Sequence, residues 1–303
     1  MAIGTCRRPL ETTKEVDQFA RDILKIPRQN RSEVVNKILK AEIALEKLES
    51  HPSRVFEDYR SLEYITEESR LELHERILSE LISYDCLKND DDITLGKGGA
   101  KPCLTKSDAL AYIVSGPPAS GKSCVSDRLA QENGAYILDS DYAKRKFPEF
   151  RSFFGGASLV HEESDSIIFA PTDSLFEYCI YSRHNVVIPM VGKTFKSVEK
   201  ICERLIASGY RIHIVNVALD RYKCVSRAFK RYAKSGRYVP LSYVFDEVGN
   251  EPERTYYMLK RTYGEDDNFL SFSQVSTDVM PGELPIIVEA TDNSPLKHWT
   301  DVL

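Results

Sequence analysis

The sequence predicts an α/β protein in which a parallel sheet is flanked by helices and preceded by an all-helical N-terminal region. Three observations support this fold class. From Ala109 onward, short apolar runs typical of strands alternate with stretches of helical periodicity. Over about the first 85 residues, the apolar pattern is helical. Between these parts, a segment rich in acids and glycines interrupts the apolar pattern.

The N-terminal region is predicted to contain helices that pack as a hairpin. One apolar series steps alternately by four and three residues, which places its side chains on one helical face. The members of this series are Val34, Ile38, Ala41, Leu45 and Leu48. Another helix is predicted to begin after Thr66, because Glu67 and Glu68 would then lie near the positive end of the helix dipole.

Residues 88–107 are predicted to be a linker or an exposed loop. The segment reads KNDDDITLGKGGAKPCLTKS and combines consecutive acids with glycines and a proline. We therefore predict a helical N-terminal region over residues 1–105, with its Gly-rich linker at about 88–107. The α/β domain is predicted over residues 106–303.

The second domain is predicted to alternate strands with helices. Strands are predicted over residues 111–115, 136–138, 186–190, 211–219 and 285–290. Helices are predicted over residues 122–132, 159–182 with an interruption at Pro171, 198–208 and 220–234. Strands separated by helices of this length build a parallel sheet whose two faces are covered by the helices.

Composition and charge narrow the classes of function. The formal net charge is −5 and the sequence pI is about 5.8, which disfavours a protein that binds nucleic acid through phosphate contacts. The 7 cysteines contain no CxxC pair, so neither a disulfide framework nor a zinc site is predicted. No apolar run fits a membrane span or a cleaved secretory signal. We expect a cytoplasmic protein, and secretion by a route without a cleaved signal stays open.

The segment GPPASGKS at residues 116–123 fits the phosphate-binding P-loop pattern G-x-x-x-x-G-K-[ST] between a predicted strand and a predicted helix. In such a loop, backbone N–H groups and the helix N-terminus point at the phosphates of a nucleotide. Gly121 allows a close approach, Lys122 reaches the β and γ phosphates, and Ser123 offers a hydroxyl to Mg²⁺. The predicted ATP-binding residues are Gly116, Pro117, Pro118, Ala119, Ser120, Gly121, Lys122, Ser123 and Cys124.

Two carboxylates follow the second predicted strand, at Asp139 and Asp141. In an open parallel sheet, ligands bind at the carboxyl ends of the strands. A kinase needs a base that orients the accepting hydroxyl, and we assign this role to Asp141. Asp139 is predicted to support Mg²⁺, and a role as a helix cap stays open for either residue.

A P-loop does not by itself separate kinases from GTPases and ATPases. The sequence lacks the Asn-Lys-x-Asp motif with which a GTPase reads guanine. It also lacks the apolar strand ending in Asp-Glu that is typical of motor and transport ATPases. These absences disfavour a GTPase and a motor or transport ATPase.

Together these residues resemble the zeta-toxin family of P-loop kinases. Residues 137–150 (ILDSDYAKRKFPEF) are similar to the family's strand ending in D-x-D and the basic stretch that leads to a His or Phe and a Pro. Residues 160–164 (VHEES) resemble the segment before the family's substrate helix. Residues 229–232 (FKRY) and 235–240 (SGRYVP) resemble its two arginine-bearing segments. The resemblance covers about residues 106–262.

The resemblance implies a P-loop kinase-type sheet, ATP and Mg²⁺ as ligands, and a small helical antitoxin or inhibitor protein as a partner. It implies that Lys122 and Ser123 bind phosphate and Mg²⁺ and that Asp141 is the base. It further implies that Arg231 and Arg237 stabilise charge on the transferring phosphoryl group. This assignment agrees with the general use of arginine to clamp phosphoryl oxygens.

The sequence departs from the family pattern after the third predicted strand. Many zeta toxins carry an acid followed by Gly-Thr-Gly there, which binds the sugar substrate, whereas this chain has Pro189 in place of the acid. Both UDP-N-acetylglucosamine and a nicotinamide dinucleotide such as NAD are therefore kept as acceptors. The predicted contacts to the acceptor are Glu163, Gly192, Lys193 and Thr194.

Two other functions stay open at this point. One is a non-catalytic, nucleotide-gated interaction module that uses the helical N-terminal region to bind a partner. The set of Lys122, Asp141 and Arg237 disfavours it, because binding alone does not need a base. The other is a polynucleotide kinase, which the acidic pI disfavours.

Overall fold

A six-stranded sheet forms the centre of the protein, and the computed structural model describes residues 8–49, 52–152, 154–235, 237–280 and 282–300. The strands are β1 Leu110–Ser115, β2 Tyr136–Ile137, β3 Val186–Met190, β4 Arg211–Ala218, β5 Phe269–Ser276 and β6 Ile286–Ala290. They lie in the order β2-β3-β1-β4-β5-β6. The first five run parallel and β6 runs antiparallel to β5, which confirms the α/β class.

The central position of β1 explains where a ligand site forms. Its residues Ala111–Val114 are at most 1% exposed, as expected for a strand covered on both faces. The chain continues from β1 to β2 and β3 on one side and then crosses to β4 and β5 on the other side. A parallel sheet opens a crevice beyond the strand ends where this order reverses.

The helices are α1 Thr13–Asp22, α2 Arg28–Glu49, α3 Glu67–Ser83, α4 Lys122–Asn133, α5 Ser140–Lys146, α6 Glu149–Ser152, α7 Gly156–Leu159, α8 His161–Phe169, α9 Leu175–Tyr181, α10 Phe195–Ala207, α11 Arg221–Ser235 and α12 Glu251–Tyr263. The helices predicted after the P-loop and after the third and fourth strands are confirmed as α4, α10 and α11. The helix predicted over residues 159–182 is divided into α8 and α9, with Pro171 in the connection.

Two features of the sheet differ from the sequence prediction. The strand β5 was not predicted, because its sequence FLSFSQVS interrupts the apolar residues with serines and a glutamine. These polar side chains are buried and satisfied by distant partners, such as His213 for Ser271 and Ser294 for Ser273. The last strand was predicted as part of a parallel sheet, whereas β6 pairs antiparallel with β5.

The N-terminal helices begin where the sequence places their caps. Thr66 accepts a hydrogen bond from the backbone of Ser69 at the start of α3, which confirms the predicted helix start. Thr12 and Glu15 form a reciprocal capping box at the start of α1. The helices α1 and α2 pack against each other, as predicted for a hairpin.

Among the described residues, the buried apolar side chains form two clusters. The larger one includes the sheet and also Leu73, Ile77 and Leu81 of α3. The second one joins the α1–α2 hairpin to α11 and to residues 241–245, and the P-loop residue Ala119 packs against it. The N-terminal helices therefore contact the α/β part in two different places, and the boundary near residue 105 stays a prediction.

The segment 88–107 is ordered against the rest of the protein. Ile93 and Ala100 are fully buried in the larger cluster, although the segment was predicted as a linker or exposed loop. Its acids form a short 3₁₀ helix over Asp90–Asp92. None of the helices in the described ranges is both long and apolar enough to cross a membrane.

Candidate functional site

The P-loop follows β1 directly, and α4 begins inside its sequence. Gly121 caps α4 with a φ of 91°, in the left-handed region that favours glycine. A Cβ added at Gly121 would also lie 3.2 Å from the side chain of Thr277. The loop therefore places the free backbone N–H groups at the start of α4 in the crevice beyond β1.

Lys122 closes the loop on itself. Its Nζ donates hydrogen bonds to the backbone oxygens of Gly116 at 2.6 Å and Pro117 at 2.8 Å. Burial lowers the pKa of the Lys122 ammonium to about 8, and the nearby carboxylates Asp139 and Asp141 oppose that effect only in part. A desolvated cation held by neutral carbonyls is suited to bind an anion such as phosphate.

Thr277, which follows β5 directly, and Arg227 of α11 hold the P-loop in place through hydrogen bonds. Thr277 Oγ1 donates a hydrogen bond to the backbone oxygen of Ser120. Arg227 of α11 in turn donates to the backbone oxygen of Thr277 at 2.8 Å. The Ser120 hydroxyl is buried and has no hydrogen-bond partner among the described residues, so it is available to a ligand at the loop.

Asp139 caps the helix that follows β2. Its Oδ1 accepts a hydrogen bond of 2.8 Å from the backbone N–H of Asp141, so the cap role that was left open is real. Burial and the neighbouring negative charge of Asp141 together raise the pKa of Asp139 to about 6. One carboxylate oxygen serves the cap, and the magnesium role of Asp139 stays a prediction.

Asp141 lies between two cations. Lys144 Nζ donates to its Oδ1 at 2.9 Å, and Arg237 Nη2 donates to its Oδ2. Burial alone would raise the pKa of Asp141, but the charges of Lys144, Arg237 and Arg145 outweigh burial and hold this pKa well below its usual range. Asp141 is therefore ionised at every physiological pH.

The structure brings most of the predicted catalytic residues together. Electrostatic interactions connect Lys122 with Asp139, Asp141 and Arg231. Burial and the neighbouring charge of Arg237 lower the pKa of Arg231 to about 10, so Arg231 is still cationic at neutral pH. One lysine, two carboxylates and two arginines thus share the crevice beside the P-loop.

Sequence reasoning missed a further group of buried charged and polar side chains next to this crevice. Arg145 is 6% exposed, and within the described ranges its Nε and Nη1 have no hydrogen-bond partner. The hydroxyl of Tyr142 lies 3.0 Å from Asp90 and 3.4 Å from Asp127. Burial and the proximity of Asp90 raise the pKa of Asp127 to about 7. Arg145 lies in the basic stretch of residues 137–150 that resembles the family pattern, whereas no sequence pattern indicated a role for Tyr142, Asp90 or Asp127.

Glu163, a predicted acceptor contact, lies in a buried ion-pair network. Both of its oxygens accept hydrogen bonds of 2.7 Å from Arg70 of α3, and Ser53 Oγ donates at 2.5 Å. Burial opposes ionisation, but Arg70 and His74 outweigh it and hold the pKa of Glu163 well below its usual range. Arg70 also pairs with Glu149 at 2.8 Å. The network ties the N-terminal region to α6 and α8, and an acceptor contact by Glu163 stays a prediction.

The other predicted acceptor contacts form the turn after β3. Gly192 has a φ of 66°, and a Cβ there would lie 2.8 Å from the Cβ of Ser115. Lys193 forms a half-buried ion pair with Glu247. Thr194 caps α10 by accepting a hydrogen bond of 3.3 Å from the backbone of Ser197. Gly192 and Thr194 thus determine the shape of the turn, and Lys193 between them carries a positive charge that is paired with Glu247.

Two predicted nucleotide contacts lie on the exposed first turn of α4. Ser123 and Cys124 are both exposed. Although Cys124 is exposed overall, partial burial of its thiol and the nearby Asp127 raise the pKa of Cys124, which disfavours the reactive thiolate form. The Ser123 hydroxyl is accessible to an incoming ion. A contact between Cys124 and the nucleotide stays a prediction that rests on its position in the first turn of α4.

Comparisons with known proteins identify the family and the fold. Residues 97–264 match the family model described as zeta toxin. A solved structure from the PezAT chromosomal toxin–antitoxin system of Streptococcus pneumoniae is similar in fold, with a TM-score of 0.52 and 14% sequence identity over 76% of this chain and 84% of that chain.

Solved structures of the AvrRxo1-ORF1:AvrRxo1-ORF2 complex also match. The complex with sulphate ions has a TM-score of 0.45 and 12% identity over 73% of this chain and 67% of that chain. The native complex has a TM-score of 0.43 and 12% identity over 95% of this chain and 74% of that chain. No curated protein sequence matches the chain. Because the family match spans more than half of its length, this protein belongs to the zeta toxin family of P-loop kinases.

Proposed function

We propose that this protein is an ATP-dependent kinase that transfers the γ-phosphate of ATP to a hydroxyl of a nucleotide-linked metabolite. The observation that carries the proposal is the convergence of Lys122, Asp141 and the two arginines beside one P-loop. A nucleotide-binding module needs the loop and its lysine. It does not need a carboxylate that is held ionised next to the phosphate site.

The residues of the loop fit ATP with Mg²⁺. Lys122 would exchange the carbonyls of Gly116 and Pro117 for β and γ phosphate oxygens. Ser123 would hold Mg²⁺ through its hydroxyl, and Asp139 would hold it through a bound water. Mg²⁺ commonly takes one or two protein ligands and completes its shell with waters and phosphates, and its role here is to neutralise charge on the phosphates.

Asp141 and the arginines would carry out the transfer. The Asp141 carboxylate would accept a hydrogen bond from the attacking hydroxyl and receive its proton. Arg237 already contacts Asp141, so a small movement would bring its guanidinium to the phosphoryl oxygens. Arg231 supplies a second positive charge, and the two together stabilise the charge that spreads over these oxygens.

The acceptor is proposed to be UDP-N-acetylglucosamine or a nicotinamide dinucleotide such as NAD. Both contain diphosphates and sugar hydroxyls, which suit a site with lysine and arginine side chains. Pro189 lies near the end of β3, paired with Val114 of β1, where many family members carry the sugar-binding acid. Lys193, beside the turn at Gly192 and Thr194, is the proposed contact to acceptor phosphates, and Glu163 is a further proposed contact.

We also propose that a small helical antitoxin or inhibitor protein binds this kinase. The similar PezAT structure is described as part of a toxin–antitoxin system. An inhibitor that covers the P-loop crevice would exclude ATP and acceptor together.

Mass spectrometry of a bacterial metabolite extract tests the proposal. The extract is incubated with ATP, Mg²⁺ and the wild-type protein, Asp141→Asn or Asp267→Asn. Asp267 is exposed in the turn between α12 and β5, so its variant is a matched control for the loss of one carboxylate. We expect one metabolite to gain a single phosphate with the wild type and with Asp267→Asn, but not with Asp141→Asn. ATP binding without any new phosphorylated species would instead indicate the nucleotide-gated module.

A further inference from the structure

The α1–α2 hairpin lies outside the matched family region, which begins at residue 97. It nevertheless packs against the part of the chain that carries both catalytic arginines. We define residues 231–240 as the arginine segment, of which the structure describes 231–235 and 237–240. Because the α1–α2 hairpin packs against the arginine segment, it can influence the position of the arginines.

Apolar contacts anchor the arginine segment at both of its ends. Before it, Cys224, Val225 and Ala228 of α11 belong to the same buried cluster as α1 and α2. After it, Leu241 and Phe245 join the same cluster. Phe245 packs edge-on against Phe19 of α1 and lies under the guanidinium of Arg8. Arg8 also forms a bidentate ion pair with Asp246, at 2.7 and 2.8 Å.

Polar contacts hold the middle of the segment to α2. The Tyr238 hydroxyl donates to Glu42 Oε1 at 2.5 Å, and the Tyr232 hydroxyl donates to the backbone oxygen of Lys37 at 3.3 Å. The rings of Tyr232 and Tyr238 contact each other edge-on, 4.8 Å apart. Glu42 is 9% exposed, so its bond to Tyr238 is shielded from water. Burial and the charge of Glu42 raise the pKa of Tyr238, so the phenol stays protonated and donates.

Tyr238 is the residue next to Arg237, whose guanidinium pairs with Asp141. A continuous series of contacts therefore runs from Glu42 through Tyr238 and Arg237 to the carboxylate beside the P-loop. We infer that the α1–α2 hairpin is a positioning element for the arginine segment, with the Glu42–Tyr238 hydrogen bond as the contact that sets the place of Arg237. This inference rests on the proposed kinase function and adds to it a role for residues outside the family region.

The expected effect is on the rate of transfer and not on ATP binding. A displacement of about 1 Å of a catalytic group can cost on the order of 100-fold in rate. We expect Tyr238→Phe and Glu42→Ala each to lower kcat about tenfold, with the KM for ATP changed by less than about twofold, because Lys122 and the P-loop are untouched. The double variant should lose no more than either single variant, because both remove the same contact.

A matched control is a second tyrosine–glutamate bond between helices. The Tyr263 hydroxyl of α12 donates to Glu199 of α10 at 2.6 Å. Tyr263→Phe removes an equivalent hydroxyl and should leave kcat unchanged. A merely structural role for Glu42 and Tyr238 would lower the unfolding temperature of their variants as in the control, with kcat preserved, and would overturn the inference.

Hydrogen exchange provides a readout that does not need activity. Full-length Glu42→Ala should exchange the amides of residues 231–240 faster than the wild type, whereas Tyr263→Phe should not. If the wild type showed no phosphotransfer, the proposed function would fail, and the exchange rates alone would decide whether the hairpin holds the segment. Unchanged exchange over residues 231–240 in Glu42→Ala would refute the inference whatever the activity.

Discussion

The pKa of the Lys122 ammonium predicts a steep pH dependence of ATP binding. This pKa is lowered to about 8 because burial removes the ammonium from water. A lowered pKa means that the neutral form accumulates as the pH rises through about 8, whereas phosphate binds the cationic form. The cationic fraction falls from about nine-tenths at pH 7 to about one-tenth at pH 9. Bound phosphate restores the ammonium, so ATP should bind about tenfold more weakly at pH 9, a loss of about 1.4 kcal/mol.

Isothermal titration with ATP at a fixed excess of Mg²⁺ measures this effect at pH 7, 8 and 9. Lys122→Arg is the matched variant, because a guanidinium keeps its charge over the whole range. Its affinity for ATP, although weaker because the side chain differs, should not change with pH. An equal affinity of the wild type at pH 7 and pH 9 would refute the reasoning, because the lysine would then be either fully charged in the free protein or remote from the phosphates.

Three further outcomes follow from buried charges and close backbone contacts. Glu163→Gln should lower the free energy of unfolding by about 3 kcal/mol in urea titrations, because Arg70 loses its charged partner in a buried site; a normal stability with weaker acceptor binding would instead support the proposed acceptor contact. Gly192→Ala should cost about 1–3 kcal/mol in the same assay, since its φ is 66° and its Cβ would press on Ser115. The kcat/KM of the wild type should fall about tenfold from pH 7 to pH 5, because Asp139 has a pKa of about 6 and loses its charge as the pH falls; a flat profile over this range would contradict its magnesium role.

Local sequence patterns were sufficient for the parts of the fold that depend on neighbours in sequence. The strand before the P-loop, the loop and the helix after it lie within residues 110–133 and were predicted with nearly their observed bounds. The same holds for the start of α3 at Thr66, where a local hydrogen bond and local acids define the helix end. These elements need no distant residue to specify them.

The missed strand β5 shows what local patterns cannot supply. Its serines and glutamine read as a surface or loop sequence because nothing nearby in the chain would satisfy them in a buried sheet. In the folded protein, Gln274 accepts from Tyr257 and donates to Glu253, and Ser271 bonds to His213. Only the three-dimensional pairing makes these polar residues acceptable in a buried strand.

The residues of the candidate site also fall into those that local sequence indicates and those that depend on distant contacts. Lys122 and Asp141 were predictable because motif and spacing place them at strand ends. The surroundings of Glu163 and Arg145 were not predictable, because their charge partners come from remote parts of the chain. Asp91, which lies 3.8 Å from Arg145, belongs to the segment that was predicted as a linker. Sequence therefore identifies the groups that are proposed to react, whereas the groups that tune their charge emerge only from the fold.

Asp141 combines two properties that would conflict in a strong general base. Its partners Lys144 and Arg237 keep it ionised but lower its pKa, which makes it a weak proton acceptor before reaction. In a loose phosphoryl-transfer transition state, the attacking hydroxyl forms little bond before the leaving group departs, so early proton removal is not required. In the proposed transfer, the carboxylate would contribute mainly by orienting the hydroxyl, and the proton would move late. The same ion pair keeps Arg237 next to Asp141, so one contact holds both proposed catalytic groups together before ATP arrives.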